Sequence, residues 1–426
     1  VPLESLWKFT LLDPGPGGHW DKVEVNSPVW RSLTRPAGGS AAFGRGEGYY
    51  LGGYANRRTS QSTNTGSNVP TPGMQAMNFT SGQFYNDTAL GYSKTGTHEF
   101  GGMIHVPNWG GRGLVVAIGG QTSPSLETFD DGSLYQDMAN ITLFDPAQRR
   151  WFSQTASGRP EDIPTQRDRF CVVGASAPSS STFEIFVYGG YTNTASRSMN
   201  YDEVFVLSLP AFRWFKANYT SSEARIRHTC HAVGRQMISI GGVNSSDAST
   251  NSDPDPFTQG LKVFDMTALQ WTNKWDAAIP SYDTPSIVQA SYSSGNRYPK
   301  AWDDSGLKDV FLATFSPAPS STTGAAAALP QSHTGVIAGA IIGGIASLAM
   351  VGAALFYGVL HKRRHEARLR VDPVELPPEH RAELSGEGPS IVESPPGKKE
   401  SVEIQGHIDA RERQSLGAAV QPFEVS

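Results

Sequence analysis

The stretch IFVYGGYTN, Ile185–Asn193, decides the fold. A run of β-branched and aromatic residues ends on the pair Gly189-Gly190, and a polar loop follows. Such side chains favour a pleated strand. Paired glycines end a strand where one backbone must approach another closely. The pattern recurs in YYLGGYAN at Gly52-Gly53, LVVAIGGQTS at Gly119-Gly120 and MISIGGVNSS at Gly241-Gly242. Successive doublets begin at 52, 119, 189 and 241, so they stand 67, 70 and 52 residues apart.

Beyond each polar loop comes a second apolar run, and three of the four runs reach a tryptophan. These are ITLFDPAQRRW to Trp151, VFVLSLPAFRW to Trp214 and LKVFDMTALQW to Trp271. The first unit has AMNFTSGQFYNDT instead, with Phe84 and Tyr85 near the tryptophan position. LWKFTLLDPGPGGHW, ending at Trp20, reads as the second half of a fifth unit. The steps Asp145-Pro146 and Leu209-Pro210 suit tight turns between the third and fourth strands. No such unit buries its faces alone. Radial stacking of four-stranded sheets buries them together and hides most edges, which is a β-propeller. The glycines and tryptophans are therefore read as architecture, with the tryptophans packed between neighbouring sheets.

Composition agrees. The chain has 426 residues, with 45 Gly and 29 Pro, which favours turns and short strands over long helices. Net charge is −5, and no basic block occurs before residue 316, so there is no electrostatic footprint for nucleic acid. The two cysteines, Cys171 and Cys230, are too few for a disulfide-stapled mini-domain or a four-ligand zinc site. They fall at matching places in consecutive units. Adjacent inner strands would bring them within disulfide range, and two separate buried thiols is the alternative.

Gly-Gly followed by a distal Trp, in units of roughly fifty residues, resembles the kelch repeat. More closely, LWKFTLL, GGHW, YYLGGYAN, YGGYTN, VLSLPAFRWFKA, RHTCHAVG, RQMISIGG and KVFDMTALQW resemble a family of fungal kelch-propeller surface proteins with one membrane span. The resemblance covers residues 6–315 and extends loosely to the span and tail. It implies one or two further blades before Val1, hence six or seven in a complete ring, and this chain is read as the remainder of a longer protein. The expected fold is all-β: a kelch-type propeller incomplete at its N-terminus, one transmembrane helix and a disordered tail. A partial blade is placed at 1–30, blades at about 33–95, 97–155, 167–218 and 225–276, and a strand returning to the first blade at 282–315.

The 25-residue run Val336–Leu360 carries no charge. About 20 apolar residues span a bilayer as a helix. Lys362, Arg363, Arg364, Arg368 and Arg370 follow at once, whereas the Ser/Thr/Pro/Ala stalk 316–335 has no Lys or Arg. The positive-inside rule puts the C-terminus in the cytosol and the propeller outside, at the plasma membrane or a secretory-pathway membrane. Sequons at Asn78, Asn86, Asn140, Asn218 and Asn244 all precede the span, as N-glycosylation of an outside domain requires. The tail 361–426 is rich in Pro, Glu, Ser and Lys and reads as disordered. Its Pro377-Pro378 and Pro395-Pro396 pairs could recruit a cytosolic partner.

The segments entering the inner strands carry Arg35, His98, Arg167, Arg169, Arg227 and His228. A ring of Arg and His at one mouth of the channel would suit an anion or a glycan. The alternative is that each pairs with a neighbouring acid or carbonyl and ties inner strands together. The acidic segment 246–256 could hold calcium but reads more simply as a solvated turn. No G-x-S-x-G, H-E-x-x-H or phosphate loop is present. Some seven-bladed kelch propellers are copper oxidases, galactose oxidase among them, and need two Tyr and two His at one metal. His98, His228 and His231 are available, but no spacing compels a site. The sequence therefore favours a non-catalytic binding or scaffold module for a glycan or surface protein, without metal or cofactor. A membrane-anchored copper oxidoreductase and a kelch adaptor in signalling or polarity are the alternatives.

Overall fold

The computed structural model describes residues 5–313, except 13–16, 26, 60–62, 64–66, 128–133, 179–180, 195–196, 221–222, 245–256, 258–259 and 273. A hairpin of β1 (Ser5–Leu11) and β2 (Gly18–Glu24) leads to the short helix α1 (Pro28–Ser32). Blade 1 is β3 (Ser40–Gly44), β4 (Glu47–Leu51), β7 (Met74–Asn78) and β8 (Phe84–Asp87), with the ribbon β5 (Tyr54–Ala55) and β6 (Val69–Pro70) between its second and third strands. Blade 2 is β9 (Gly102–Val106), β10 (Leu114–Ile118), β11 (Asn140–Asp145) and β12 (Arg150–Thr155). Blade 3 is β13 (Cys171–Ala175), β14 (Phe183–Tyr188), β17 (Val204–Leu209) and β18 (Arg213–Lys216), with the ribbon β15 (Tyr191–Thr194) and β16 (Arg197–Asn200). Blade 4 is β19 (Thr229–Val233), β20 (Gln236–Ile240), β21 (Leu261–Asp265) and β22 (Gln270–Thr272). All pairings in the blades are antiparallel and sequential.

Burial explains the strand sequences. In blades 2 and 3 the middle strands β10, β14 and β17 are buried at every position, because a neighbouring blade covers each face. The core is therefore a series of layers between sheets. Val116, Leu143, Ile185, Leu207 and Trp214 fill the layer between blades 2 and 3. Phe186, Val206, Met237 and Phe264 fill the next, and Leu51, Met74, Val115 and Phe144 the one between blades 1 and 2. Each fourth-strand tryptophan reaches back one blade. Trp151 Nε1 donates to Asp87 at 3.1 Å, and Trp214 Nε1 donates to Met138 O at 3.0 Å. Trp271 packs edge-on to Tyr188, with ring centroids 4.7 Å apart.

The glycine doublets join the blades. In the first three the second glycine donates its N–H to the entry segment of the next blade: Gly53 to His98 O at 2.7 Å, Gly120 to Arg167 O at 3.0 Å and Gly190 to Arg225 O at 2.8 Å. Both residues of every doublet hold positive φ, a region that costs other L-residues energy. A Cβ on Gly52 would stand 2.1 Å from His98 O, and one on Gly189 would stand 2.5 Å from Arg225 O. Gly241, with no following blade among the described residues, faces open space.

The expected returning strand is absent from the described residues of 282–315. The segment instead forms α2 (Ser286–Ser293) and α3 (Ser305–Leu312). Leu307, Val310 and Phe311 recur at helical spacing and enter the layer between blades 2 and 3 beside Trp302. Asp304 caps α3 by accepting from the Gly306 and Leu307 N–H groups. Among the described residues no helix is long and apolar enough to cross a membrane. The stalk 316–335, the run Val336–Leu360 and the tail 361–426 lie outside the described residues, as does the segment 246–256.

Gly52 and Gly82 share nearly the same φ, +66° and +69°, but a Cβ at Gly82 meets nothing within 4 Å. Gly82→Ala should lower the unfolding free energy by about 1 kcal/mol, the cost of φ alone. Gly52→Ala should lose at least about 3 kcal/mol, because overlap with fixed backbone adds to that cost. Urea denaturation of both variants checks this, and equal losses would remove the junction role assigned to the doublet.

Candidate functional site

Four triplets occupy the same place at the entry to each inner strand: Pro36-Ala37-Gly38, His98-Glu99-Phe100, Arg167-Asp168-Arg169 and Arg225-Ile226-Arg227. The middle residue of each forms an antiparallel bridge with the residue that follows its own blade's glycine doublet. The third holds positive φ in every case. Its N–H donates to the equivalent carbonyl one blade earlier: Phe100 to Gly38 O at 2.7 Å, Arg169 to Phe100 O at 2.8 Å and Arg227 to Arg169 O at 3.0 Å. A backbone arc therefore runs around the mouth, and the polar side chains hang from it.

Most of those side chains serve the joints. His98 is fully buried, and its ring nitrogens meet Ser40 Oγ at 2.7 Å and Tyr92 OH at 2.5 Å. Burial pushes its pKa down to about 3, so it is neutral and no anion ligand. Arg167 is also fully buried. It donates to Glu203 at 3.0 Å and to Gly189 O at 3.2 Å, and stacks 3.8 Å over Tyr201. Arg169 pairs with Asp168 at 2.7 Å and lies 4.3 Å over Phe100. Arg35 is half-buried over Trp30. His228 is buried edge-on to Tyr188. Arg227 alone among the six is exposed.

Cys171 and Cys230 are joined as a disulfide between β13 and β19, with Cα atoms 5.6 Å apart. His98 lies at the junction of blades 1 and 2 and His228 at that of blades 3 and 4, so these two of the histidines considered for copper do not converge. Among the described residues, one group of three His, Cys, Asp or Glu side chains has the closeness of a metal site: Cys171, His228 and Cys230.

Three residues that sequence reasoning passed over complete the mouth. Asp168 is fully buried and accepts from Gln121 Nε2 at 2.6 Å. Arg225 is fully buried, stacks 3.7 Å over Phe257 and donates to Gly241 O. Glu99 is fully buried; Ser123 approaches one oxygen at 3.4 Å, and the other meets no donor among the described residues. Burial raises the Glu99 pKa to about 8. The signal that could have found them is the triplet itself, H-E-F, R-D-R and R-I-R at one place in three units.

The connections differ sharply between the two ends of the blades. Second and third strands are linked by long segments, from Gly52 to Met74, Gly119 to Asn140, Gly189 to Val204 and Gly241 to Leu261. These share the triplet end. The other end has mostly short turns. There, the β3–β4, β9–β10 and β11–β12 turns and helix α3 enclose a cavity of about 750 Å³, lined by Arg45, Trp109, Gln148, Arg150 and Asp309. The chain leaves α3 beside it at Ala313.

The sequon asparagines spread over the blades. Asn86, Asn140, Asn218 and Asn244 are exposed. Asn78 is half-buried, donates to Glu47 at 3.1 Å and accepts from the Thr80 and Ser81 N–H groups.

No family model matches the chain. A kelch repeat-containing protein of Arthroderma benhamiae is 26% identical over 314 residues, covering 64% of this chain and 43% of that protein. The chain thus spans less than half the length of that relative. The likeness and the four sheets with their Gly-Gly junctions agree on kelch-type β-propeller blades.

Glu99 gives stability a particular pH dependence. Its folded pKa of about 8 exceeds the ordinary 4.5. Between those values the unfolded chain has released a proton that the folded chain still holds, so this contribution to stability falls as pH rises. Glu99→Gln removes the titration. Relative to the parent, the variant should gain stability steadily from pH 5 to pH 8 in denaturant titrations, and parallel curves for the two proteins would refute the assignment.

Proposed function

We propose that this chain is a membrane-anchored, non-catalytic kelch propeller whose long-loop face binds a surface protein or glycan outside the cell. The observation that carries this reading is the division of labour at the mouth. His98, Arg167, Arg169 and Asp168 are occupied in joining blades, whereas the long connections on the same face are polar and rich in Ser, Thr and Asn. Loops held by a rigid scaffold are where propellers and other folds place recognition. Exposed Arg227 adds a positive charge that suits an acidic group on the partner.

Anchorage rests on the uncharged run Val336–Leu360 and the basic cluster after it. The departure of the chain at Ala313, at the end opposite the long loops, fits a propeller held with its binding face away from the bilayer. The kelch-repeat relative supports the propeller part of this reading. The exposed sequons fit a domain facing the secretory lumen, and the Pro-containing tail would face cytosolic partners.

Two measurements test this reading. Replacing residues 57–68 with a Gly/Ser segment, combined with Arg227→Glu, should weaken binding to cell-wall glycans or surface proteins at least ~10-fold, as loss of a few central contacts does. Gln83→Glu with Gln148→Glu, on the opposite turns, should leave binding intact. Binding lost only in the second variant would place recognition on the wrong face. For topology, protease added to intact cells should digest the propeller and spare residues 361–426; digestion of the tail alone would reverse the orientation.

A further inference from the structure

We propose that Cys171, Cys230 and His228 form a site for a soft divalent ion, Zn2+ in the first instance, which becomes available when the disulfide is reduced.

The three side chains come from the inner strands of two neighbouring blades. Cys171 opens β13, Cys230 lies on β19, and His228 immediately precedes β19. One ligand atom from each lies within 4.8 Å of the others. Tetrahedral zinc, with Zn–S near ~2.3 Å and Zn–N near ~2.0 Å, sets ligand atoms roughly 3.3–3.8 Å apart. Once the sulfur–sulfur bond is gone, small side-chain rotations bring all three to that spacing. A water would complete the tetrahedron.

His228 supplies the observation that points to a ligand. Three histidines are buried among the described residues: His98, His105 and His228, at 0%, 8% and 8% exposure. His98 has both ring nitrogens bonded, and His105 Nε2 meets Arg112 O at 3.0 Å. Neither nitrogen of His228 has a hydrogen-bond partner of good geometry among the described residues, although the Tyr188 backbone acts on the ring. Buried polar groups are nearly always paired, so an unpaired imidazole beside two sulfurs needs a reason. Coordination by imidazole and two thiolates supplies one.

The charges also balance. A dithiol reductant delivers two electrons and two protons to the disulfide and itself closes to a cyclic disulfide, leaving two cysteine thiols. Zn2+ then displaces both thiol protons, which pass to buffer. The product is an ion neutralised by two thiolates and held by a neutral imidazole, so no net charge is buried there. In consequence blades 3 and 4 are joined at this point in either redox state, by a covalent bond when oxidised and by a coordinated ion when reduced.

Cobalt(II) added to the full chain reads the site directly. After reduction with a dithiol, and removal of excess reductant under anaerobic conditions, one equivalent should bind with thiolate-to-metal charge-transfer absorption and tetrahedral d–d bands. Zn2+ should displace it. The oxidised chain should show neither signal. His228→Ala, which leaves the disulfide in place when oxidised, should weaken cobalt binding to the reduced chain at least ~10-fold, the scale on which loss of even a supporting group weakens such sites. A reduced chain that keeps its β circular dichroism but takes up no cobalt overturns the proposal. So does binding unchanged by His228→Ala. If reduction alone unfolds the chain, Zn2+ must restore the β signal at one equivalent; failure to do so overturns it equally.

Discussion

Everything in this propeller depends on one hydrogen bond repeated around the mouth. The second glycine of the first three doublets donates its N–H to a carbonyl at the entry of the next blade, as Gly53 does to His98 and Gly190 to Arg225. The bond sets backbone against backbone, and a Cβ on the preceding Gly52 or Gly189 would overlap the accepting carbonyl. It also requires positive φ at two consecutive residues, which only glycine adopts without cost. With the blades set at that separation, the space between sheets is fixed. Trp151, Trp214 and Trp271 fill it from the fourth strands, and the buried middle strands follow.

This is why the architecture was legible in the sequence. A backbone constraint that admits only glycine leaves a visible mark, and so does a gap that demands the largest side chain. Elements bound by no such demand were harder to read. Residues 282–315 were expected to close the ring as a strand, yet Leu307, Val310 and Phe311 carry a helical stripe behind the Asp304 cap. The stripe is only two turns long, and its partners, Trp109 and Phe212, are distant in sequence. Arg and His at the mouth were visible as residue types. Their employment was not, because Arg167 finds Glu203, Tyr201 and Gly189 O through folding rather than through local spacing.

The burial of Arg167 and Arg225 at matching places follows from the same geometry. The doublet and the chain after it leave carbonyls, such as Gly189 O and Gly241 O, facing the inside of the mouth. A planar guanidinium reaches them with several donors while its faces lie on aromatic rings, Tyr201 in one case and Phe257 in the other. Removing either cation would strand backbone acceptors, so these arginines belong to the frame although their chemistry resembles that of a ligand site.

Each junction then adds a side-chain lock of its own. Between blades 1 and 2, Ser40 holds His98; between blades 2 and 3, Gln121 holds Asp168; between blades 3 and 4, the lock is Cys171–Cys230. All three lie on inner strands or their entries, close under the face that carries the long connections. Loops vary without loss of the fold only where their anchor points are fixed independently of them. Fixing the mouth from below, by backbone arc and side-chain lock, leaves the segments above it free to be shaped by what they bind.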